Sequence, residues 1–356
     1  MAFTDCELSL YNTYTIWYTC IMFKAQCRIT PYLLKLFEQI AIVGALVRNS
    51  RLQVSVKAPL ERDAFARSVH SSTWIEGNLL SLAQVRAVVD GRDLLVEEKQ
   101  KTEVANCVGA MRQILKTKRK PVTEQGLLAV HARMIKGLLS KDRTGQYRSV
   151  QNYIVDARNK VIFTPPPSAQ VPGRMKALFA WAKDESLHPV VRSAIFQHEF
   201  LTIHPFVDGN GRVGRAVGQW FLWEKGFDPL CTLGLDDFFA QDRPRYYDMI
   251  QQTRDMDGDF THWVEYVAEG LAWAHDDVQK RIKAGTLSLQ GVSLTPKQEE
   301  LLGMLEKKGV LGASEIGKTM KINRARVNQL ISPLVRLGIV TREGAARAVR
   351  YRLNEK

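Results

Sequence analysis

One run of twelve residues carries most of the information in this chain: His204-Pro-Phe-Val-Asp-Gly-Asn-Gly-Arg-Val-Gly-Arg215. Gly209 and Gly211 can adopt backbone angles that turn successive N–H groups inward, so together with the N-terminus of a following helix they predict an anion-binding loop. Arg212 and Arg215 are three residues apart and therefore neighbours on that helix, where both can bind phosphate oxygens. The pattern indicates phosphate chemistry.

The same run supplies a general base and a metal ligand. His204 is predicted to lie in a loop between two helices, where it can take a proton from an incoming hydroxyl. Asp208 precedes the glycines and is placed to bind Mg²⁺ shared with the phosphates. A helix-ending histidine or a Gly-Asn-Gly turn is ordinary by itself, but the combination with two arginines predicts group transfer to an alcohol or phenol.

The run resembles the signature of the Fic family, H-P-F-x-(D/E)-G-N-G-R-x-x-R, and matches every fixed position. The resemblance extends over about Ile29 to Lys283 and implies a mainly α-helical Fic core that uses ATP with Mg²⁺. It implies transfer of AMP to a Ser, Thr or Tyr hydroxyl of a protein, which could be another protein or the chain itself. The implied roles are His204 as the base, Asp208 as the Mg²⁺ ligand, Gly209, Asn210 and Gly211 as the α-phosphate cradle, and Arg212 and Arg215 as the β- and γ-phosphate ligands.

A second match lies far upstream. The run Ser72-Thr-Trp-Ile-Glu76-Gly77 fits the inhibitory pattern (S/T)-x-x-x-E-(G/N) of the family. A carboxylate at Glu76 paired with Arg215 would neutralise the group that binds the γ-phosphate, so we expect a low basal rate of transfer. A solvated glutamate at a helix end is the structural alternative. In some relatives the glutamate also supports removal of AMP, so the motif does not fix the direction of the reaction.

A predicted β-hairpin interrupts the helical pattern. Two short β-prone runs, residues 152–155 and 161–164, flank a polar turn and are followed by three prolines. The edge of such a hairpin can accept another extended chain, and the hairpin resembles the target-docking flap of the family. A purely structural hairpin is the alternative. The predicted flap residues are Val161, Ile162, Phe163 and Thr164.

Elsewhere the spacing of apolar residues predicts helices, and strand signals are scarce before residue 310. The predicted helices start at Ile29 and continue over 60–70, 82–89, 102–115, 123–139, 171–184, 189–203, 211–224, 243–255 and 259–283. Nothing in the sequence fixes the pocket for the nucleotide base. Tyr246 and Tyr247 are candidates for stacking on adenine.

The C-terminal segment changes character after a predicted linker at residues 284–294. Residues 295–356 predict three helices and a hairpin, the layout of a winged helix-turn-helix domain, and contain 13 Lys or Arg against 6 Asp or Glu. DNA binding is one interpretation, and a module for protein contact is the other. The DNA-binding candidates on the predicted recognition helix are Arg324, Arg326, Asn328 and Gln329.

One motif in that segment is misleading. The run Gly312–Thr319 matches the phosphate-binding pattern GxxxxGK(S/T) letter for letter. That pattern requires a preceding buried parallel strand, which the sequence does not offer. We therefore expect Ser314 to cap a helix and residues 317–319 to lie inside it.

Composition limits the remaining interpretations. The 356 residues carry a net charge of +13, which favours anionic partners, and the five cysteines form no CxxC pair. No apolar stretch approaches the roughly 20 residues that cross a bilayer, so we expect a cytoplasmic protein without a membrane partner, and a homodimer stays open. The predicted divisions are an atypical extension at 1–28, a helical region with the inhibitory motif at 29–120, a Fic core at 121–283, the linker, and the winged helix.

Three alternatives to a protein adenylyltransferase stay open from the residues. The first is a DNA-binding regulator whose Fic core only senses a nucleotide. The second is an enzyme that removes AMP from a modified protein. The third is a transferase that uses another nucleotide donor, although the intact Gly211 argues against the variant of the family that acts like a kinase.

Overall fold

A computed structural model describes residues 14–20, 23–49, 54–155, 158–228, 234–288, 294–336, 339–344 and 349–353. The helices in these ranges are α1 Pro31–Asn49, α2 Val54–Ile75, α3 Leu82–Val89, α4 Glu98–Thr117, α5 Glu124–Met134, α6 Val171–Trp181, α7 Pro189–Ile203, α8 Asn210–Glu224, α9 Leu235–Gln241, α10 Arg243–Arg254, α11 Thr261–Ser288, α12 Pro296–Lys308, α13 Ala313–Met320 and α14 Arg324–Arg336. The strands are β1 Tyr14–Cys20, β2 Phe23–Ile29, β3 Ile154–Val155, β4 Val161–Phe163, β5 Leu311–Gly312, β6 Val340–Glu343 and β7 Arg350–Leu353. The mainly α-helical class is confirmed.

Polar residues fix where several helices begin. The side chain of Thr123 accepts a hydrogen bond from the backbone of Gly126 at the start of α5, and Asp242 accepts one from Arg245 at the start of α10. Such caps satisfy N–H groups that have no partner within the first turn of a helix. These local signals explain why the predicted and observed starts of α5 and α10 agree.

Helices α7 and α8 form the centre of the larger core. They pack against each other and α7 also packs against α11, whose Trp263 is buried and donates from Nε1 to the carbonyl of Ala194 at 2.7 Å. Large apolar side chains such as Phe196 and Phe221 are fully buried between the helices. The twelve-residue run is the connection between α7 and α8, so a rigid helix pair holds both of its ends.

The N-terminal segment is partly inside the fold. Strands β1 and β2 form an antiparallel hairpin, and Phe23, Ala25 and Cys27 of β2 are buried in the larger core. The interpretation of residues 23–28 as part of an atypical extension in front of the fold is therefore wrong. In the described ranges the strands before residue 310 are β1 to β4, which are few beside the helices, as expected. The alternation of these three buried side chains has the period of a strand and could have predicted β2.

A second core forms the C-terminal unit, residues 294–353. Helices α12, α13 and α14 pack with a three-stranded sheet of order β5-β7-β6 around buried residues such as Leu301, Ile331 and Tyr351. Helix α11 continues to Ser288, inside the predicted linker, and residues 289–293 lie outside the described part. Helix α13 begins at Ala313, where Glu315 accepts from the N–H of Gly312, so the prediction of Ser314 as the cap is wrong.

The C-terminal unit docks on α2. Lys57 and Glu306 form an ion pair of 3.8 Å, and Arg62 donates to the carbonyl of Leu353 at 3.2 Å. The opposite end of α2 carries Ser72, so one helix contacts both the C-terminal unit and the region of the motif.

No helix in the described ranges is long and apolar enough to span a lipid bilayer.

Candidate active site

His204 sits where α7 ends and is held in a defined orientation. Its backbone is in the left-handed region, with φ 51° and ψ 58°, and its N–H donates to the carbonyl of Phe200. In the side chain, Nδ1 lies 3.3 Å from the carbonyl of Leu201. Since a carbonyl only accepts, Nδ1 carries the proton and Nε2 keeps its lone pair. This is the tautomer that a base requires.

Burial also keeps His204 neutral. It lowers the pKa of the imidazole to about 4, and the cations of Arg254 and Arg148 act in the same direction. Leu201, through its carbonyl, and Glu76, through its charge, oppose this effect. At neutral pH the imidazole is therefore unprotonated and can accept a proton.

The loop after His204 is closed by its own side chains. The backbone N–H of Phe206 donates to Oδ1 of Asn210 at 2.9 Å, and Nδ2 of Asn210 donates to the carbonyl of Phe206 at 2.8 Å. The side-chain amide of Asn210 therefore makes its contacts inside the loop. The ring of Phe206 is fully buried and stacks on His131 with 3.7 Å between ring centroids. The side chain of Asn210 therefore braces the loop, and its backbone N–H belongs to the first turn of α8, which refines its predicted role in the cradle.

Two residues without a predicted role hold this loop in place. His131 bonds through Nε2 to the carbonyl of Asp208 at 3.1 Å and accepts at Nδ1 from the N–H of Gly145 at 3.0 Å. Arg148 donates from Nε to the carbonyl of His204 at 2.8 Å and from its backbone N–H to Pro205, also at 2.8 Å. Neither Arg148 nor the lone His131 in a predicted helix belongs to a motif that signals this function.

The start of α8 lies beside this loop and has the backbone geometry that suits an anion. Gly209 has φ +83° and precedes the first turn of the helix, as expected for a residue that turns the N–H groups inward. Asp208 next to it is 54% exposed in its side chain and accepts from the N–H of Gly209 through Oδ1. One exposed carboxylate fits Mg²⁺ that takes its other ligands from phosphates and water. The described residues contain no cluster of three or more metal ligands.

Both arginines of the motif are buried at this site. Nη2 of Arg212 lies 3.4 Å from Asp208, and Nε of Arg212 is buried with no hydrogen-bond partner in the described part of the chain. Arg215 donates from Nη2 to the carbonyl of Ser72 at 2.7 Å and from Nε to its hydroxyl at 3.2 Å. Arg212 thus has an N–H donor without a partner among the described residues, and a guanidinium of this kind is suited to bind a phosphate oxygen.

The inhibitory motif reaches the same place from α2. Oε1 of Glu76 lies 2.9 Å from Nη1 of Arg215, and the two side chains are 32% and 1% exposed. Gly77 follows with φ +94°, a conformation that ends the helix there. A Cβ atom added at Gly211 would overlap the Glu76 carboxylate. The carboxylate therefore lies over the first turn of α8, where the sequence predicted phosphate.

Arg215 also faces acidic and aromatic groups. Burial by itself lowers the pKa of its guanidinium, but the attraction of Glu76, Tyr246 and Asp236 outweighs it, so the pKa is raised. Burial raises the pKa of Asp236 to about 6. Asp236 had no predicted role, since no motif includes α9. Arg215 stays positively charged at every physiological pH.

The two tyrosines proposed for adenine differ. Tyr246 is 1% exposed and its ring lies 4.7 Å from that of Phe239, so it belongs to the core and has no open face for a base. Its assignment as a stacking residue is not compatible with this burial. Tyr247 is 42% exposed and donates from its hydroxyl to the carbonyl of Ile75 at 3.2 Å, close to Glu76. Tyr247 keeps its candidate role.

The hairpin of β3 and β4 lies next to the motif loop. Ile154 pairs with Phe163, Val161 and Ile162 are exposed, and Thr164 follows the strand. The strands are shorter than predicted, and residues 156–157 of the turn lie outside the described part. Arg148 ties the hairpin to the motif because it also donates to the carbonyl of Pro166.

The DNA-binding candidates are all exposed on α14 but face two directions. Arg324 and Asn328 line a groove shared with α13 and the strands β6 and β7. Arg326 donates to Gln329 at 3.0 Å, and these two side chains lie beside the start of α12. The structure brings only half of the predicted set to one surface.

Comparisons with known proteins agree with this geometry. A model of the Fic/DOC family matches residues 121–222. The chain is 26% identical over 278 residues to the protein adenylyltransferase Fic of Aedes aegypti, with 74% of this chain and 52% of the relative covered. It is 29% identical over 219 residues to the protein of the same name from Nematostella vectensis, with 58% and 47% covered. The chain therefore spans about half the length of these curated relatives.

Solved structures show the same fold. A Fic family protein from Desulfovibrio desulfuricans superimposes with a TM-score of 0.62 at 26% identity and covers 92% of this chain and 97% of its own. Fic-1 (residues 134–508) from Caenorhabditis elegans has the same fold, with a TM-score of 0.59 at 23% identity and coverages of 72% and 73%. Residues 121–222, with the motif loop between α7 and α8, form a domain of the Fic/DOC family.

Proposed function

We propose that this protein is a Mg²⁺-dependent protein adenylyltransferase that is inhibited by its own Glu76. The observation that carries the proposal is the convergence of a neutral His204, the start of α8 and two buried arginines, one of which is already paired with a carboxylate. The names of the curated relatives support the same activity.

The reaction follows from the positions of these groups. Nε2 of His204 takes the proton of a protein hydroxyl, whose oxygen attacks the α-phosphorus of ATP while the bond to the pyrophosphate oxygen breaks. The N–H groups at the start of α8 stabilise the charge on the α-phosphate, and Arg212 and Arg215 bind the departing pyrophosphate. Mg²⁺ bound through Asp208 would neutralise part of the pyrophosphate charge.

Glu76 blocks this arrangement by occupying it. Its carboxylate uses the Nη1 donor of Arg215 and covers the position next to Gly211. The γ-phosphate and the Glu76 carboxylate are both anions and compete for one cation. ATP then binds without its γ-phosphate on Arg215, and its α-phosphate is misplaced relative to His204.

The target is a protein with a Ser, Thr or Tyr hydroxyl, either another protein or a second copy of this chain. The exposed edge at Val161 and Ile162 supports binding of an extended segment as an added strand, next to the base. Tyr247 is the candidate contact for the adenine. Removal of AMP and use of another nucleotide are the competing reactions at the same groups.

A label-transfer assay with α-³²P-ATP and Mg²⁺ tests the proposal. We expect strong labelling of protein by Glu76→Gly, weak labelling by the wild type, and none by Glu76→Gly combined with His204→Asn. Asparagine is the matched replacement because it tolerates the left-handed backbone of position 204. Glu299→Gly, which removes an exposed glutamate of α12, should behave like the wild type. If Glu76→Gly binds ATP but transfers no label, the proposal is wrong.

A second candidate function rests on the groove of the C-terminal unit. The groove has a volume of about 990 Å³ and its lining includes Lys318, Lys321, Arg324, Arg336 and Arg342. Five cations around one concave surface support binding of DNA by a winged helix-turn-helix domain. In that case the Fic core would act as a nucleotide sensor.

Fluorescence anisotropy with a labelled DNA duplex distinguishes this candidate. If α14 enters a DNA groove, Arg324→Ala and Arg342→Ala should weaken binding and reduce its salt dependence, whereas Arg326→Ala on the other face should have a smaller effect. If the wild type and the three variants bind the duplex with equal affinity, the groove has no role in DNA binding. A cell phenotype lost with Arg324→Ala but kept with His204→Asn would favour the regulator over the enzyme.

A further inference from the structure

Arg254, the last residue of α10, contacts the hairpin directly. Its guanidinium carbon lies 3.7 Å from the centroid of the Phe163 ring in β4. The hairpin itself is short, since β3 and β4 contain two and three residues. A cation over an aromatic ring at this distance is a favourable contact, and more so where water is largely excluded. Phe163 is half-buried in this contact.

The same guanidinium also contacts the end of α7. Nη2 donates to the carbonyl of Leu201 at 3.1 Å and Nε to the hydroxyl of Thr202 at 3.3 Å. The carbonyl of Leu201 is the group that accepts from Nδ1 of His204. Arg254 and His204 therefore share the carbonyl of Leu201 as acceptor. The guanidinium of Arg254 connects this carbonyl to Phe163 of the hairpin.

The charged groups around the base come from three elements. Arg254 comes from α10, Arg148 from the segment after α5, and Glu76 from the end of α2. The two arginines disfavour an imidazolium, and Glu76 favours it. Arg254 in turn faces Glu199 of α7, whose pKa burial raises to about 7. Loss of the Arg254 charge should therefore raise the pKa of His204, since both side chains contact the carbonyl of Leu201.

We propose that Arg254 is a positioning residue that fastens the hairpin β3–β4 to the base and fixes the ring of His204 through the shared carbonyl of Leu201. The proposal rests on the transferase function above and deepens it. The substrate segment held by the hairpin and the proton acceptor then keep a constant spacing, which group transfer to a hydroxyl requires. Arg254 touches neither substrate nor nucleotide in this role.

Three variants separate the two contacts. Arg254→Gln removes the charge and retains a hydrogen-bond donor on a shorter side chain. Phe163→Leu removes the ring and leaves the charge near His204. Arg245→Gln is the matched control, because Arg245 lies on the same helix and pairs instead with Glu269 at 2.9 Å.

Two readouts do not depend on any transfer reaction. The first is titration of the histidine side chains by NMR in the full chain with labelled histidine, with the His204 signal assigned by its loss in His204→Asn. The second is hydrogen exchange of residues 158–164, followed by mass spectrometry. In Arg254→Gln we expect the pKa of His204 to rise above about 4, while burial still holds it below its ordinary value, and exchange in the hairpin to become faster.

Phe163→Leu should speed exchange in the hairpin and leave the titration of His204 unchanged, and Arg245→Gln should alter neither. In label transfer with the Glu76→Gly background, Phe163→Leu should raise KM for the target about 5- to 30-fold, the loss expected for one such contact, with kcat little changed. Arg254→Gln should in addition move the acidic limb of the rate profile to higher pH.

The outcomes are distinguishable. An unchanged His204 titration with unchanged exchange in Arg254→Gln overturns the positioning role. If Arg254→Gln fails to fold, Arg254→Lys replaces it: the retained charge should preserve the titration, while loss of the planar group speeds exchange, and no faster exchange overturns the proposal. If both readouts respond as expected but no variant transfers label, the positioning role stands and the transferase function fails.

Discussion

Replacement of Glu76 by glycine should raise the catalytic efficiency of transfer with respect to ATP. The pair to be broken joins Oε1 of Glu76 to Nη1 of Arg215 at 2.9 Å, between a guanidinium that is 1% exposed and a carboxylate that is 32% exposed. A hydrogen bond between charged groups contributes about 1.5 to 3 kcal/mol. If the γ-phosphate must displace the carboxylate, this free energy corresponds to a gain of about 10- to 160-fold in kcat/KM.

The assay measures initial rates of label transfer at ATP concentrations below KM, with ATP affinity followed separately by calorimetry. Glu76→Gln tests the electrostatic part of the reasoning, because its amide can still occupy the position near Arg215 without a charge. We expect its rate to lie between those of the wild type and Glu76→Gly. A rate for Glu76→Gly within twofold of the wild type, with ATP bound and the fold intact, would refute competition for Arg215.

Further predictions concern stability, the loop and the metal. Burial lowers the pKa of four histidines to about 3 or 4, namely His131, His188, His198 and His204. Burial raises the pKa of two carboxyl groups, that of Asp236 to about 6 and that of Glu199 to about 7. Near pH 5 the unfolded histidines take up protons that the folded ones do not, and the folded carboxyl groups partly offset this. The four histidines outnumber the two carboxyl groups, so these six groups together should make the free energy of unfolding, measured with urea, fall on acidification from pH 6 to pH 5, and a rise over this interval would contradict the reasoning. His131→Ala should lower this free energy at pH 7 by about 2 to 4 kcal/mol, since it leaves the N–H of Gly145 without its acceptor, whereas the exposed His262→Ala should change it little. Asp208→Asn should raise the Mg²⁺ concentration for half-maximal transfer at least about tenfold without changing the unfolding curve, and an unchanged Mg²⁺ dependence would remove Asp208 as a ligand.

The motif loop and its contact with Glu76 were accessible from sequence because their information is local. His204 to Arg215 lies in one loop and one helix turn, so the fixed spacing determines which groups converge. The pairing of Glu76 with Arg215 spans 139 positions, yet a short pattern at each end sufficed to predict it. The convergence of the motif residues and the pair of Glu76 with Arg215 both involve charged groups. A buried charge needs a partner of opposite charge or a hydrogen bond, which limits the arrangements that a sequence pattern allows.

The supporting residues could not be predicted in this way. Arg254 reaches the base only because α10 packs beside the end of α7, and Asp236 reaches Arg215 only through the placement of α9. The burial of Tyr246 likewise depends on aromatic neighbours from α9 and α11. Such contacts arise from tertiary packing between segments that carry no mutual sequence signal.

The anchoring of Arg215 determines how quickly the site can change state. Two of its nitrogens donate to Ser72, and only Nη1 faces Glu76. If the Glu76 carboxylate turns away, the hydrogen bonds to Ser72 keep the guanidinium of Arg215 in its orientation. A phosphate can then bind Nη1 without a change of the Arg215 rotamer. Switching then requires one side-chain rotation, a motion of picoseconds to nanoseconds where the residue is exposed, rather than refolding of a loop. Under the proposed function the two positions of the Glu76 side chain would therefore share one backbone conformation, and release of Arg215 would need no refolding.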